Sequence, residues 1–314
     1  MFAQYAHELL KVCEEEGVHL DELSIRHEAE ESDLTKEEVL NELREILKVM
    51  KLAATEGKRR LVFSVSGLIG GDSTKISAYS KTDQPITGSV MTNAMAYAMS
   101  CSEVNASMGR IVAAPTAGAC GILPAVLKTF SDQRQTDDEE LIRAMAVAGA
   151  LGIIIGQNAT ISGAEGGCQA ETGAAAAMAS GAAVYLMGGT PQMCMDAGAI
   201  VLMNMMGLVC DPVAGLVEIP CMYRNAQGAV NALTTADMIM AGVRSRIPFD
   251  EAVVAMYEVG RSMNENLRET GIGGIAGTPT GKRLKQMVFG DAQITEVHKD
   301  HKHPREDHVQ YKPE

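Results

Sequence analysis

The sequence predicts a mainly α-helical protein, a multi-helix catalytic domain with glycine-rich loops between its helices and little or no sheet. Three observations carry this expectation. The apolar runs between residues 89 and 288 are mostly of helical length and are separated by Gly or Pro turns. Strand-type alternation of apolar and polar residues is almost absent. Aromatic residues make up only 4% of the chain, with no Trp, against 31 Gly and 20 Met. A core of small and flexible side chains suits helices packed close together.

The elements follow in order. AQYAHELLKVCEEEG reads as one amphipathic helix and DLTKEEVLNELREILKVMKLAATEG as a second, opened by a capping box from Thr35 to Glu38. Residues 1–60 are thus expected to form a separate helical layer. RRLVFSV (59–65) suggests one short strand, and SGLIGGDSTKIS after it a polar, Gly-rich loop. Helices are then expected over 89–109, 122–131, 138–155, 171–187, 191–207, 224–242 and 249–269. Thr136 with Glu139 reads as a capping box, Thr190 before Pro191 as a helix start, and Gly271 as the stop of the helix near 269. These helices define a catalytic domain over 61–288, followed by a charged tail, 289–314, expected to be mobile.

With 314 residues the chain can bury a substantial core without disulfides. The seven cysteines are scattered, and the N-terminus turns charged before any long apolar region, which suggests a reducing cytoplasm. A net charge of -13 argues against a nucleic-acid partner, which would need clustered Lys and Arg. The apolar stretches 144–156 and 174–189 fall short of the roughly 20 residues a membrane span requires and read as buried helices.

The chemistry is bounded by what the middle of the chain lacks. All seven histidines lie at its ends, at positions 7, 19, 27, 298, 301, 303 and 308. That excludes a Ser-His-Asp triad or a histidine zinc site built from the middle alone. The HKDHKH cluster reads as a solvated tail or a loose metal grip. Lysine is sparse: Lys75, Lys81, Lys128 and then nothing until Lys282. Lys128 has no glycine-rich phosphate cradle beside it, as a pyridoxal-phosphate site would need. GTPTGKR (277–283) is one residue short of a phosphate-binding loop and carries Arg where Ser or Thr would hold magnesium.

Cysteine remains. Cys168, Cys210 and Cys221 sit beside Gly or Pro, on expected loops, with C-x41-C-x10-C spacing. Cys13, Cys101 and Cys194, within helical runs, read as buried structural thiols. The same reading competes for the three loop cysteines, but rigid Gly-rich backbone also suits a metal cluster, whose sulfurs accept amide hydrogen bonds. Zinc would want a fourth ligand and closely paired arms. Three thiolates suit an iron-sulfur cluster with one iron left open.

EVNASMGRIVAAPTAGACGILPA (103–125), SGAEGGCQAETGAA (162–175), GLVCDPVAGLVEIPCMYRNA (207–226) and RETGIGGIAGTPTGKRL (268–284) resemble, in this order, the alpha chain of the iron-sulfur-dependent bacterial L-serine dehydratases. The likeness runs from about residue 60 to 285. It implies a helical domain holding a 4Fe-4S cluster through Cys168, Cys210 and Cys221, with one iron free for substrate. That iron would act as a Lewis acid on the hydroxyl of L-serine while a base takes the α proton, giving pyruvate and ammonia. Lys75, Asn105 and Thr116 are the catalytic candidates, with Lys75 or a partner-supplied residue as base. Ser66, Gly67, Asn105, Arg110 and Thr116 are the candidate substrate contacts, Arg110 competing with a role as a helix-end cation. Family members carry a serine-rich, His-containing segment on a beta domain or separate beta subunit; it is missing here, which implies a separate beta subunit and leaves room for a higher oligomer. Fused members end in a cysteine that folds onto the open iron; no cysteine follows residue 267 here, which implies an exposed iron and oxygen sensitivity. L-Cysteine desulfidation, and a cofactor-free helical scaffold, are the alternative readings. The cluster reading requires the three sulfurs to converge, roughly 6 to 7 Å apart.

Overall fold

A computed structural model describes residues 3–290 of the chain, and thirteen α-helices account for most of them. Three precede the first Gly-rich loop: α1 (Ala6–Glu16), α2 (Leu20–Glu31) and α3 (Lys36–Arg59). The remaining helices are α4 (Asp72–Tyr79), α5 (Gly88–Ala106), α6 (Ile122–Gln133), α7 (Asp138–Asn158), α8 (Gly163–Gly166), α9 (Ala174–Leu186), α10 (Pro191–Met205), α11 (Cys221–Met240), α12 (Phe249–Ser262) and α13 (Pro279–Phe289). No sheet forms among the described residues; two isolated bridges, Phe63 to Gly70 and Cys210 to Arg268, are its nearest equivalent.

Helix α9 is the axis of the fold. Every residue from Ala174 to Val184 is buried, as an all-round apolar, Ala-rich helix must be. It is packed by α6, α7, α10 and α11, and α7 passes the apolar surface on to α2 and α3. One hydrophobic cluster includes Leu9, Leu20 and Leu47 from the first three helices together with Leu151, Val184, Leu202 and Ile239. No helix among the described residues is long and apolar enough to cross a membrane.

The capping chemistry is largely as read. Thr35 accepts from the Glu38 amide and Glu38 reaches back to the Thr35 amide, while Thr190 caps α10 with Pro191 in its first turn. Other expectations are corrected. Residues 59–65 are not a strand: Arg59 still belongs to α3, and Leu61, Phe63 and Val65 stand 59%, 60% and 78% exposed with no neighbouring strand to pair. Helix α2 was not anticipated, because its sequence is charged nearly all round; Leu20, Leu23 and Ile25 hold it to the core, and the His19 ring accepts from the Leu20 amide. Helix α4 forms inside the stretch read as loop. Asp137, not Thr136, caps α7, accepting from the Glu140 amide. Helix α12 stops at Ser262, short of the anticipated Gly271 stop, and α11 starts at Cys221 rather than 224. Most of the charged tail lies outside the described residues, with His298, His301, His303 and His308.

Candidate functional site

The segment 207–221 is held rigid by its own side chains and by two distant stretches of backbone. The Cys210 amide donates to Leu267 (2.8 Å) and the Glu269 amide returns to the Cys210 carbonyl (2.7 Å), a short parallel pairing. Asp211, 2% exposed, accepts from Arg224 Nη2 (2.8 Å) on one oxygen and from the Ile275 amide (2.7 Å) on the other. Arg224 also donates through Nη1 to the Val209 carbonyl (2.7 Å). The turn between the thiols reverses at Ala214 and Gly215, with φ of 60° and 73°. At Gly215 a side chain would be strained, which is what glycine relieves. Val213 then donates to Ile219, closing the loop just before Pro220 and α11.

Cys221 is therefore the first residue of a helix and not a loop residue. Asn225, one turn on, donates to the Cys221 and Gly118 carbonyls (2.8 and 2.7 Å) and accepts from the Gly121 amide (2.8 Å). That buried amide pins the 117–121 turn against the start of α11, satisfying each of its polar atoms. Cys168 lies between α8 and a π-helical turn, Gln169–Gly173, that runs into α9. Such turns re-aim side chains and recur at functional sites.

The four segments singled out in the sequence meet here. Cys168, Cys210 and Cys221 lie within electrostatic reach of one another, since Cys168 acts on both of the others. Glu171, from the π-helical turn, accepts from Thr116 Oγ1 (2.8 Å) and stands 3.8 Å from Cys210 Sγ. A Cβ at Gly163 would lie 2.5 Å from Glu171 Oε2 and 3.1 Å from Cys210 Sγ, so only glycine leaves the thiol and carboxyl their space. Burial pushes all three thiols and the Glu171 carboxyl above their ordinary pKa values, and for Cys210 and Cys221 the charges of Cys168 and Glu171 push further. Burial would lower Arg224, but Cys168 and Asp211 hold it firmly protonated. No group of three or more His, Cys, Asp or Glu among the described residues is drawn tightly enough to hold a single metal ion.

The other candidates are placed unevenly. Thr116 belongs to the site through Glu171, and Asn105 lies beside it, Nδ2 donating to the Ala117 carbonyl at 3.3 Å. Ser66 donates to Glu218 (2.7 Å), a buried carboxylate of the thiol-bearing loop, which ties the 64–71 loop to the site; Gly67, exposed at φ 77°, forms the tip of that loop. Arg110 is exposed, with no ion pair among the described residues. Lys75 is 74% exposed and donates to Asp72 (2.8 Å), a bond that raises its pKa and favours the ammonium form, the opposite of what a base requires. Glu171, Arg224, Glu218 and Asn225 were not picked out from the sequence. Three of them, Arg224, Glu218 and Asn225, sit within the same quoted segment as Cys210 and Cys221. Charged or amide groups buried in an apolar helical protein were the signal.

Fold and site together define an α-helical protein with three buried thiols, a buried carboxyl and a buried arginine gathered where the four segments meet. A family model described as "Serine dehydratase alpha chain" matches residues 15–276, and the chain belongs to that family. It is 46% identical over 285 residues to the "Probable L-serine dehydratase, alpha chain" of Bacillus subtilis, covering 91% of this chain and 95% of that one. It is 44% identical over 281 residues to the "L-serine dehydratase, alpha chain" of Peptoniphilus asaccharolyticus, covering 90% and 96%. The "L-serine dehydratase" of Streptomyces coelicolor is 37% identical over 277 residues, 86% of this chain but 59% of that protein.

Proposed function

We propose that this chain is the catalytic alpha subunit of a cytoplasmic L-serine dehydratase, a lyase converting L-serine to pyruvate and ammonia. The observation that carries the reading is the presence of three buried thiols, from separated segments and near enough for their charges to act on one another, in a chain whose alpha-chain relatives are matched nearly end to end. Cys168, Cys210 and Cys221 would hold a 4Fe-4S cluster. The donor set fits one in its chemistry, since sulfur is the ligand atom of such clusters and three buried thiols on separated segments are present. Three protein ligands leave one position for substrate. When bound, the cluster supplies a Lewis-acidic iron for the substrate hydroxyl.

The chain's own groups do the rest. Arg224 offsets the negative charge that three thiolates bring into a buried site. Asn105, Thr116, Ser66 and the amides around Gly67 are the groups for orienting L-serine, and Arg110, exposed and without an ion pair among the described residues, is the cation for its carboxylate. Loss of the α proton and of the β hydroxyl gives aminoacrylate and water. Tautomerisation to the imine and its hydrolysis, which takes up that water, give pyruvate and ammonia. Because Lys75 is held as an ammonium by Asp72, we assign α-proton removal to a residue of a separate beta subunit. The helices of residues 61–288 would carry the catalytic machinery and those of 1–60 would back it.

The test is anaerobic purification and assay of pyruvate from L-serine, with and without a candidate beta chain. Brown protein with a shoulder near ~400 nm, of the kind thiolate-to-iron charge transfer gives, is expected, with turnover on addition of the beta chain and loss of both colour and turnover in air. A colourless, metal-free, folded protein after anaerobic reconstitution would refute the cluster. L-Cysteine in the same assay checks desulfidation, for which sulfide and not pyruvate alone is diagnostic.

A further inference from the structure

A second cleft lies at the junction of α1, the start of α10 and the 245–250 turn that leads into α12. It is an open cleft with about 220 Å³ of accessible space, enough for a small polar molecule. Its polar groups divide into those already used and those left over. Asp250 is used: its carboxylate accepts from the Ala6 amide (2.7 Å), the His7 amide (3.2 Å) and His7 Nδ1 (3.0 Å), and so caps α1. Asp196 is not. It is 7% exposed, one oxygen accepts from Gln192 Nε2 of its own helix (2.9 Å), and among the described residues no cation lies within 4.0 Å of the carboxylate. A buried carboxylate without a cation is costly unless something of opposite charge reaches it. Arg246 stands on the same cleft, exposed, and makes neither a hydrogen bond nor an ion pair among the described residues.

We propose that this cleft is a binding site for a small α-amino acid zwitterion, its ammonium on Asp196 and its carboxylate on Arg246, with Met195 and Phe249 against its side chain. A lone anion would face the Asp196 and Asp250 carboxylates. A lone metal cation would face the Arg246 guanidinium. A ligand that carries both charges would answer both groups, and both stand on the one cleft. Helix α12 begins at the cleft and runs on to the thiol site. Its Met256 carbonyl accepts from Gln169 (2.6 Å), and its Gly260 packs on Gly166, two residues from Cys168.

The test is thermal unfolding of the isolated chain with L-alanine as probe, and with ethylamine and acetate as single-charge controls. L-Alanine at up to about 100 mM should raise the midpoint by roughly 2 °C or more, by mass action on the folded state, and each control by less than half of that. Asp196→Asn and Arg246→Ala should each weaken apparent affinity roughly tenfold or more, the loss of one charge-assisted contact. Arg246 is exposed, so that variant keeps the test decisive if Asp196→Asn folds poorly. No shift in the natural chain, an equal shift in the variants, or an equal shift with acetate alone would overturn the proposal. Since the measurement needs neither cluster nor turnover, its failure is distinct from failure of the serine dehydratase reading.

Discussion

Arg224 joins more of the site than any single thiol does. Its guanidinium reaches the Val209 carbonyl, the Asp211 carboxylate and the surroundings of Cys168, with its side chain 14% exposed. Asp211 is buried, so Arg224→Leu leaves a carboxylate without its cation. We expect a loss of about 3 kcal/mol in unfolding free energy by denaturant titration. The double variant Arg224→Leu with Asp211→Leu should recover part of that loss, as removing both charges of a buried pair generally does, whereas independent effects would simply add. At this scale the irregular backbone at Cys168 and Cys210 was legible from the Gly and Pro beside them, whereas Cys221, beside Pro220, opens α11. Their partners were not: which of the acidic residues in a chain with 40 Asp and Glu is buried against a thiol is decided by tertiary packing.

Among the elements, α4 shows how the Gly-rich loop is anchored. Its first two amides, those of Asp72 and Ser73, donate to Glu103 Oε1 at 2.6 and 3.1 Å, and Glu103 projects from α5 into a fully buried position. Its other oxygen, Oε2, has no hydrogen-bond partner among the described residues. Burial raises the carboxyl from 4.5 to about 7, against the lowering effect of the two amides. Between those values the folded chain keeps a proton that the unfolded chain releases, so the contribution of Glu103 to stability is present below about 4.5 and is lost as pH rises through about 7. Glu103→Gln, uncharged throughout, should flatten the decline in denaturation midpoint between pH 5 and 7.5. A profile that stays parallel to that of the natural chain would contradict the assignment. The sequence concealed α4 because its glycine-rich approach resembles a loop and its eight residues carry little periodicity. What makes it helical is a carboxylate from another helix at its N-terminus.

At the level of the whole molecule, the abundance of Ala, Gly and Met reported the fold correctly because it sets how near helix axes can come. Ala179 is fully buried on α9, the helix packed by α6, α7, α10 and α11. Ala179→Leu should cost about 2 kcal/mol by overpacking, seen as a lowered melting temperature with retained helicity by circular dichroism. Apart from the end of α12, the long helices of the middle were readable to within a few residues for the same reason: buried on several sides, they are defined by where the polar turns fall. The first sixty residues were less readable, since α2 owes its existence to three apolar anchors within a charged sequence.

The pairing of Cys210 with residues 267–269, and of Asp211 with Ile275, bears on biosynthesis. A chain leaving the ribosome exposes Cys168, Cys210 and Cys221 well before the segment that frames Cys210 has been made. The frame of Cys210 is therefore complete only when nearly all of the described residues have emerged. Truncation upstream of residue 275 should therefore yield helices, seen by circular dichroism, but no finished frame around Cys210.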